Sequence, residues 1–184
     1  IFIGDNESGK SSILEAIDIV ISGSRSKVET IGVSNLLNKD SIRAFFGAGK
    51  KYEELPKMVI EIYLNECGNA DLNGDNNSLG INSDGLSLIC EPNNQFSKDI
   101  KTVLEQAGEN FPYEFYSISF KTFSDRSYSG FNKYFNHVLL DNSQINNEYA
   151  TRSYVKKLFH GNTDVANRSV FENQYRGLKQ HFQH

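Results

Sequence analysis

The residues best suited to chemistry lie at the start of the chain, in the segment Gly4–Ser11, which reads GDNESGKS. This segment fits the pattern G-x-x-x-x-G-K-[ST] of a phosphate-binding loop. In such a loop the glycines allow successive backbone N–H groups to point at the phosphates, and the next helix directs its positive end at the same anion. Lys10 would reach the β- and γ-phosphates, the Ser11 hydroxyl would bind Mg²⁺, and Ser12 would face the α-phosphate. The pattern therefore predicts a site for ATP and Mg²⁺.

The residues around the loop fit the strand-loop-helix setting that this motif requires. The apolar segment Ile1–Ile3 enters the loop, and apolar residues at helical spacing follow it. These are Ile13, Leu14, Ile17, Val20 and Ile21. The alternative is an ordinary glycine-rich turn between a strand and a helix, because so short a motif also occurs by chance.

The loop and the residues after it also resemble a known group of proteins. Gly-x-Asn-x-x-Gly-Lys-Ser followed by Ser-Ile-Leu-Glu-Ala-Ile is similar to the first nucleotide motif of the ABC-type ATPases of the SMC/RecF group. Asn6 and the segment Leu14–Ile17 carry this resemblance. Within the group, Glu7-Ser8 is most similar to the OLD (overcoming lysogenization defect) family, whose members join such an ATPase to a C-terminal Toprim nuclease. The specific match covers about residues 1–20.

The resemblance implies a fold and a function. The fold would be α/β: a P-loop NTPase whose ABC-ATPase-like N-terminal lobe has a mixed sheet, an antiparallel hairpin subdomain and C-terminal helices. ATP would be held by Asn6, Gly9, Lys10, Ser11 and Ser12, with Mg²⁺ on Ser11. Members of the group act on DNA, in repair or anti-phage defence, and hydrolyse ATP as dimers in the cytoplasm. The full-length protein is therefore expected to be an ATP hydrolase and a homodimer that acts on DNA.

A glutamine further along the chain resembles a second part of such a site. Gln144 follows a predicted short strand, His137–Asp141, by three residues. In ABC-type ATPases a glutamine just past a strand meets Mg²⁺ and the attacking water, so the resemblance assigns Gln144 a catalytic and metal-binding role beside Lys10. The alternative is a solvated loop glutamine, since no spacing rule fixes this position.

The same comparison predicts how the chain is divided. Residues 1–144 would form part of an ABC-type ATPase head, and residues 145–184 a helical segment, broken at Gly161-Asn162, that leads to a dimerisation or arm region. The sequence has no Leu-Ser-Gly-Gly-like signature, no Walker B strand and no Toprim acidic cluster. We therefore expect a fragment that lacks the second half of the head and has little ATPase activity by itself.

Composition limits the class of protein. The 184 residues, 38% hydrophobic and 23% charged, suffice for a globular domain, and no apolar run is long enough to span a bilayer. Cys67 and Cys90 make neither a disulfide framework nor a zinc pattern, which favours a reduced cytoplasm. A net charge of -4 argues against a uniformly basic nucleic-acid surface, and Lys50-Lys51 and Lys156-Lys157 are interpreted as parts of solvated faces.

Hydrophobic periodicity and turn residues predict the remaining elements. The predicted helices are Lys10–Ile21, Val33–Leu37, Ser41–Phe46 capped by Asp40 or Ser41, and Ser97–Gln106 capped by Ser97; the predicted strands are Met58–Leu64, Leu86–Cys90 and Pro112–Phe123. Between the first helix and Val33 we expect a polar connection. The aromatic residues of Pro112–Phe123 could stack on bases, although packing in the sheet is the commoner role.

The segment between the first two predicted strands, Asn65–Gly85, is rich in Asn, Asp and Gly. Its Asp71-x-Asn73-x-Asp75 spacing is that of a calcium loop, but Asn76 stands where glycine is needed and Asn82 where a bidentate glutamate is needed. A flexible hairpin loop is the favoured interpretation.

Two other functions remain open. The chain could be a structural or interaction module with a vestigial nucleotide loop, which titration with ATP and Mg²⁺ would reveal. It could also be a different P-loop enzyme, such as a nucleotide kinase. Asn6, the Asn-rich hairpin and the lack of an Arg-rich lid disfavour that alternative.

Overall fold

The computed structural model describes residues 9–106, 108–137, 139, 155, 170 and 174. The chain separates into two compact units, Ile1–Phe135 and Asn136–His184. In the second unit Val155, Val170 and Gln174 are helical, whereas His137 and Leu139 are not in a strand. The rest of the predicted strand His137–Asp141 lies outside the described residues, as do the first eight residues of the chain.

The first unit is a mixed α/β structure. Its helices are α1 (Lys10–Ser22), α2 (Arg25–Ile31), α3 (Val33–Leu36), α4 (Lys39–Gly47) and α5 (Ser97–Glu105), and its strands are β1 (Met58–Leu64), β2 (Asn73–Gly74), β3 (Ser83–Pro92) and β4 (Tyr116–Thr122). Single 3-10 turns occupy Tyr52–Glu54, Asn94–Phe96 and Tyr113–Phe115. Among the described residues no helix has the length and apolar character needed to cross a membrane.

The described strands form one antiparallel sheet with β3 at its centre. β1 pairs with β3 from Met58↔Cys90 to Leu64↔Asp84, which confirms the predicted hairpin. β4 and the short β2 pair with the other edge of β3. The predicted mixed sheet would need the segment Ile1–Ile3, which lies outside the described residues.

One face of the sheet carries the core beneath α1. Leu86 and Leu88 of β3 are fully buried with Ile19 and Val20 of α1 and with Phe120 of β4. Strand residues alternate between the two faces, so the even-numbered residues of β1 join this core. The intervening Val59 and Tyr63 are 51% and 38% exposed. The predicted buried face of β1 is therefore confirmed.

A second hydrophobic cluster joins α4 and α5. Its buried members are Leu37, Ile42, Phe45, Leu55, Ile100, Leu104 and Phe111. The ring of Phe45 lies edge-on to that of Phe111 at 5.9 Å, an arrangement that aromatic pairs prefer. This cluster fixes α5 beside the turn Tyr52–Glu54.

The predicted polar connection after α1 contains a helix instead. The Ser24 hydroxyl caps α2 by accepting a hydrogen bond from the N–H of Lys27, and Val28 is fully buried. A single apolar anchor gives too little periodicity to predict a helix from sequence.

Two predicted caps are wrong. The Asn38 side chain caps α4 by accepting from the N–H groups of Asp40 and Ser41 at 2.8 and 3.0 Å, so neither of those residues is the cap. α5 starts after a 3-10 turn with Phe96 in the capping position, and Ser97 is its first helical residue. In both helices the first helical residue precedes the first apolar residue of the sequence pattern.

The predicted boundaries of two strands also move. β4 begins at Tyr116 because Tyr113–Phe115 forms a 3-10 turn after Pro112. β3 begins at Ser83, three residues before the predicted start.

The Asn-rich connection is tied to the sheet, contrary to the expected flexible loop. The carboxylate of Asp84 accepts hydrogen bonds from the Cys67 N–H and the Asn73 amide at 2.7 and 2.8 Å. These bonds, the one from Cys67 foremost, hold the pKa of Asp84 below its ordinary value. Leu72 is 1% exposed and anchors the connection in the core. Composition alone suggested a flexible loop, because it does not show which partners the Asn and Asp side chains find in the fold.

The first two residues of the calcium-like spacing contact other protein groups. Asp71 pairs with Arg126 at 3.2 Å, whereas Asn73 binds Asp84. The two side chains therefore have different protein partners. The described residues contain no cluster of three or more His, Cys, Asp or Glu that could hold a metal ion.

Candidate nucleotide site at the start of helix α1

The structure describes part of the predicted nucleotide site. Gly9, Lys10, Ser11 and Ser12 lie together at the start of α1. Asn6 and Gln144 lie outside the described residues, so their predicted contacts with ATP, Mg²⁺ and water stay predictions.

Gly9 has the backbone conformation that a turn into a helix can demand. Its φ of 81° and ψ of 7° are left-handed, and it occupies the capping position of α1. A side chain is disfavoured in this conformation because its Cβ crowds the backbone. Among the described residues, no atom lies within 4 Å of where a Cβ on Gly9 would stand. The glycine is thus favoured by its φ angle, and none of the described residues fills the space beside it.

The first turn of α1 is suited to an anion. The first bond within the helix runs from the Ile13 N–H to the Gly9 carbonyl at 3.0 Å, so the Ser11 and Ser12 amides lie in the turn that has no acceptors inside the helix. Both serines are exposed, and the turn contains no acidic side chain. The helix dipole and these amides favour a negative charge at this end.

The start of α4 provides an internal contrast. There Asn38 supplies an oxygen to the first amides, and Asp40 adds a carboxylate to the first turn. The protein therefore satisfies the start of α4 with its own side chains. Gly9 has no side chain that could do the same for α1.

The opposite end of α1 is fixed in the core. The Tyr128 hydroxyl donates to the Val20 carbonyl at 2.7 Å in a buried position, and burial raises the pKa of Tyr128. Gly23, also left-handed at φ 57°, closes the helix with N–H bonds to Ile19 and Val20. A Cβ on Gly23 would lie 2.9 Å from the Tyr128 ring and from the Ser129 backbone. These contacts hold the helix, and hence its first turn, in place.

Burial along α1 is unequal. Ile19 and Val20 are 3% and 0% exposed, whereas Ile13 and Leu14 in the first half are each 44% exposed. The predicted apolar stripe is therefore buried mainly at its C-terminal end. Every residue from Ser11 to Glu15 is exposed, so the described start of α1 is accessible to a ligand.

Tyr128, the residue that anchors α1, was not predicted from the sequence. Tyr128 lies in a short polar segment, Ser127–Gly130, without hydrophobic periodicity. A lone tyrosine there carries no signal for contact with a helix more than a hundred residues earlier. Only the fold brings its hydroxyl to Val20.

Comparison of this chain with protein-family models, with curated protein sequences and with solved structures found no match.

Proposed function

We propose that the loop Gly4–Gly9 and the first turn of α1 bind the phosphates of ATP with Mg²⁺. The observation that carries this proposal is the left-handed Gly9 placed directly before a 13-residue helix in which Ser11 and Ser12 are exposed and the first turn has no acidic residue. The sequence Gly-Lys-Ser at this point supplies an ammonium group and a hydroxyl for the same ligand.

Each residue of the turn has a separate role in this proposal. Gly9 allows the backbone to approach the phosphates, and the amides of the first turn donate to their oxygens. Lys10 neutralises charge on the β- and γ-phosphates, and Ser11 holds Mg²⁺ through its hydroxyl. The metal would spread the negative charge of the phosphates as a Lewis acid. Asn6, Ser12 and Gln144 complete the proposed site.

At the level of the whole protein, we propose an ATPase of the OLD or SMC/RecF-like group that acts on DNA in repair or anti-phage defence. Support comes from the sequence of the loop and of the helix after it, in which Asn6 and Leu14-Glu15-Ala16-Ile17 resemble that group. In that group hydrolysis depends on a second protomer. We therefore expect the chain alone to bind ATP and to turn it over slowly at most.

The experiment is calorimetric titration of the 184-residue chain with ATP in the presence of Mg²⁺. Lys10→Ala removes a charged hydrogen-bond donor and should weaken the affinity by about tenfold to a hundredfold. Ser11→Ala should reduce the dependence of binding on Mg²⁺. Lys39→Ala is the matched control, because Lys39 is likewise the first residue of a helix but follows the Asn38 cap.

The outcomes separate the open alternatives. Equal affinities of the wild type and Lys10→Ala would reject the phosphate-loop assignment. Absence of binding heat at high nucleotide concentration would instead favour a structural module with a vestigial loop. Rapid ATP turnover by the isolated chain, abolished by Lys10→Ala, would contradict the proposed need for a second protomer.

A further inference from the structure

A cleft between the loop Gly49–Glu53 and α5 is a second region suited to bind a ligand. Its volume is about 380 Å³, and α5 contributes Lys101, Leu104 and Glu105 to its walls. This volume lies within the range of pockets that take small molecules. Three lysines and two glutamates line it. In the sequence the pair Lys50-Lys51 is too small to indicate a basic patch, and only the fold brings Lys101 to the same cleft.

The loop wall of this cleft is held in an unusual backbone conformation. Gly49 and Lys50 are both left-handed, with φ of 99° and 56°. A lysine rarely adopts this conformation, and such residues persist where surrounding contacts fix them, often at functional sites. The Lys50 ammonium donates to the Gly108 carbonyl at 2.6 Å and lies 5.7 Å from the Phe46 ring centroid. Lys50 therefore links the loop to the segment after α5.

The ammonium groups of the other two lysines, Lys51 and Lys101, make weaker contacts. Lys101 places its ammonium 5.3 Å from the ring centroid of Tyr52, whose hydroxyl is fixed by Asn94 at 3.0 Å. Lys51 lies 3.5 Å from Glu54 in an ion pair whose side chains are 67% and 44% exposed. Exposed ion pairs and exposed cation–π contacts contribute little free energy. Both ammonium groups can therefore turn to a ligand at small cost.

We propose that this cleft binds the phosphate monoester of a small hydroxylated molecule, such as a sugar phosphate. A phosphate monoester carries a charge near -2 at neutral pH, which Lys51 and Lys101 together can neutralise. Lysine is a common point-charge ligand for phosphate. Glu53 and Glu105 accept hydrogen bonds from the hydroxyl groups. The same carboxylates oppose every anion, and because this cost grows with the charge of the ligand, it disfavours ATP and nucleic acid more than a monoester.

The first test is amide NMR of the 184-residue chain titrated with ribose 5-phosphate, and separately with inorganic phosphate and with ribose. We expect saturable shifts at Gly49–Glu53 and at Lys101–Glu105 with ribose 5-phosphate. Inorganic phosphate should bind more weakly, and ribose should have no measurable effect. No saturable shift with ribose 5-phosphate would overturn the proposal. Equal affinity for inorganic phosphate would overturn the role given to the glutamates.

Variants then test which charges carry the binding. The double variant Lys51→Gln, Lys101→Gln should weaken binding about tenfold or more, since two charged contacts are lost. Lys98→Gln is the matched control, because Lys98 is exposed on α5 one turn before Lys101 and does not line the cleft. Circular dichroism checks folding, and Lys101→Arg, which keeps the charge, should retain binding. Unchanged affinity in the double variant would overturn the proposal.

One further variant separates this cleft from the proposed ATP site. Lys10→Ala should leave the binding of ribose 5-phosphate unchanged while it weakens that of ATP. If Lys10→Ala instead abolishes sugar-phosphate binding, the ligand occupies the start of α1 and the cleft proposal is wrong. Failure of ATP binding alone would leave the cleft measurements intact.

Discussion

The two ends of α1 each carry a left-handed glycine, but their surroundings differ. At Gly23 the Tyr128 ring and the Ser129 backbone would lie 2.9 Å from an added Cβ. At Gly9 no described atom lies within 4 Å of that position. Gly23 is therefore favoured by both its φ angle and its packing, whereas among the described residues only the φ angle favours a glycine at position 9.

This difference shows how a helix can be fixed at one end and available at the other. The C-terminal half is held by Ile19, Val20 and Tyr128, whereas the residues from Ser11 to Glu15 are exposed. A ligand at the start of the helix therefore meets amides that are already positioned, and pre-organisation of this kind lowers the entropic cost of binding. The following predictions test whether the two ends are separable, from the largest expected effect to the smallest.

Gly23→Ala should destabilise the protein most. The variant combines a left-handed backbone with overlap against Tyr128, and together these should lower the free energy of unfolding by about 3 kcal/mol. Urea denaturation followed by circular dichroism measures the change. If Gly9→Ala costs as much as Gly23→Ala, the proposed difference in packing is wrong.

Tyr128→Phe should have the next largest effect on the fixed end. The variant removes the hydroxyl that binds the Val20 carbonyl, and the loss of one buried hydrogen bond costs about 1.5 kcal/mol. Tyr134→Phe, whose ring lies 6.0 Å from that of Tyr128, is the control in the same denaturation experiment. A change in Tyr128→Phe no larger than in this control would show that the hydroxyl does not anchor α1.

Gly9→Ala should affect function more than stability. The strain of a left-handed alanine should lower the free energy of unfolding by about 1 kcal/mol, and no described residue adds a clash with the methyl group. The same methyl group would intrude on a phosphate, so ATP affinity should fall about tenfold. Parallel denaturation and calorimetry separate these effects. Unchanged ATP affinity would remove Gly9 from the site.

The smallest expected effect is a local loss of stability at low pH, which should leave both ends of α1 folded. The pKa of Asp84 is lowered below its ordinary value of 3.8 by the Cys67 N–H and the Asn73 amide. The carboxylate's contribution is thus complete above pH 3.8 and is lost as the pH falls through the lower, folded value. Amide exchange should rise first in residues 65–82, and Asp84→Asn should abolish this pH dependence. Earlier exchange in α1 would contradict this order.

Local patterns predicted much of the fold. The bounds of α1 followed from its apolar spacing and from Gly23, and β1 followed from strict alternation, with β3 predicted as its return strand. Both signals come from residues that are close to one another in the sequence. α2 and the Asn38 cap were missed, and the Asn-rich connection was mistaken for a flexible loop. These features depend on single contacts, such as the hydrogen bond from Cys67 to Asp84 or the burial of Val28, whose partners cannot be read from composition.

The same division holds for the candidate sites. The Gly-Lys-Ser motif and the following helix were predicted because a phosphate loop is continuous in sequence. The cleft could not be predicted, since it joins Lys51 to Lys101 through packing of the loop against α5.

For α1, the sequence alone determined that a helix begins after Gly9 and that one face is apolar, because both follow from local backbone preference and periodicity. Only the tertiary structure decided that Ile19 and Val20 are buried while Ile13 and Leu14 stay largely exposed. Periodicity selects a face of a helix but not the turns that other elements cover. That choice depends on where β1, β3 and Tyr128 meet the helix, and therefore on contacts distant in sequence.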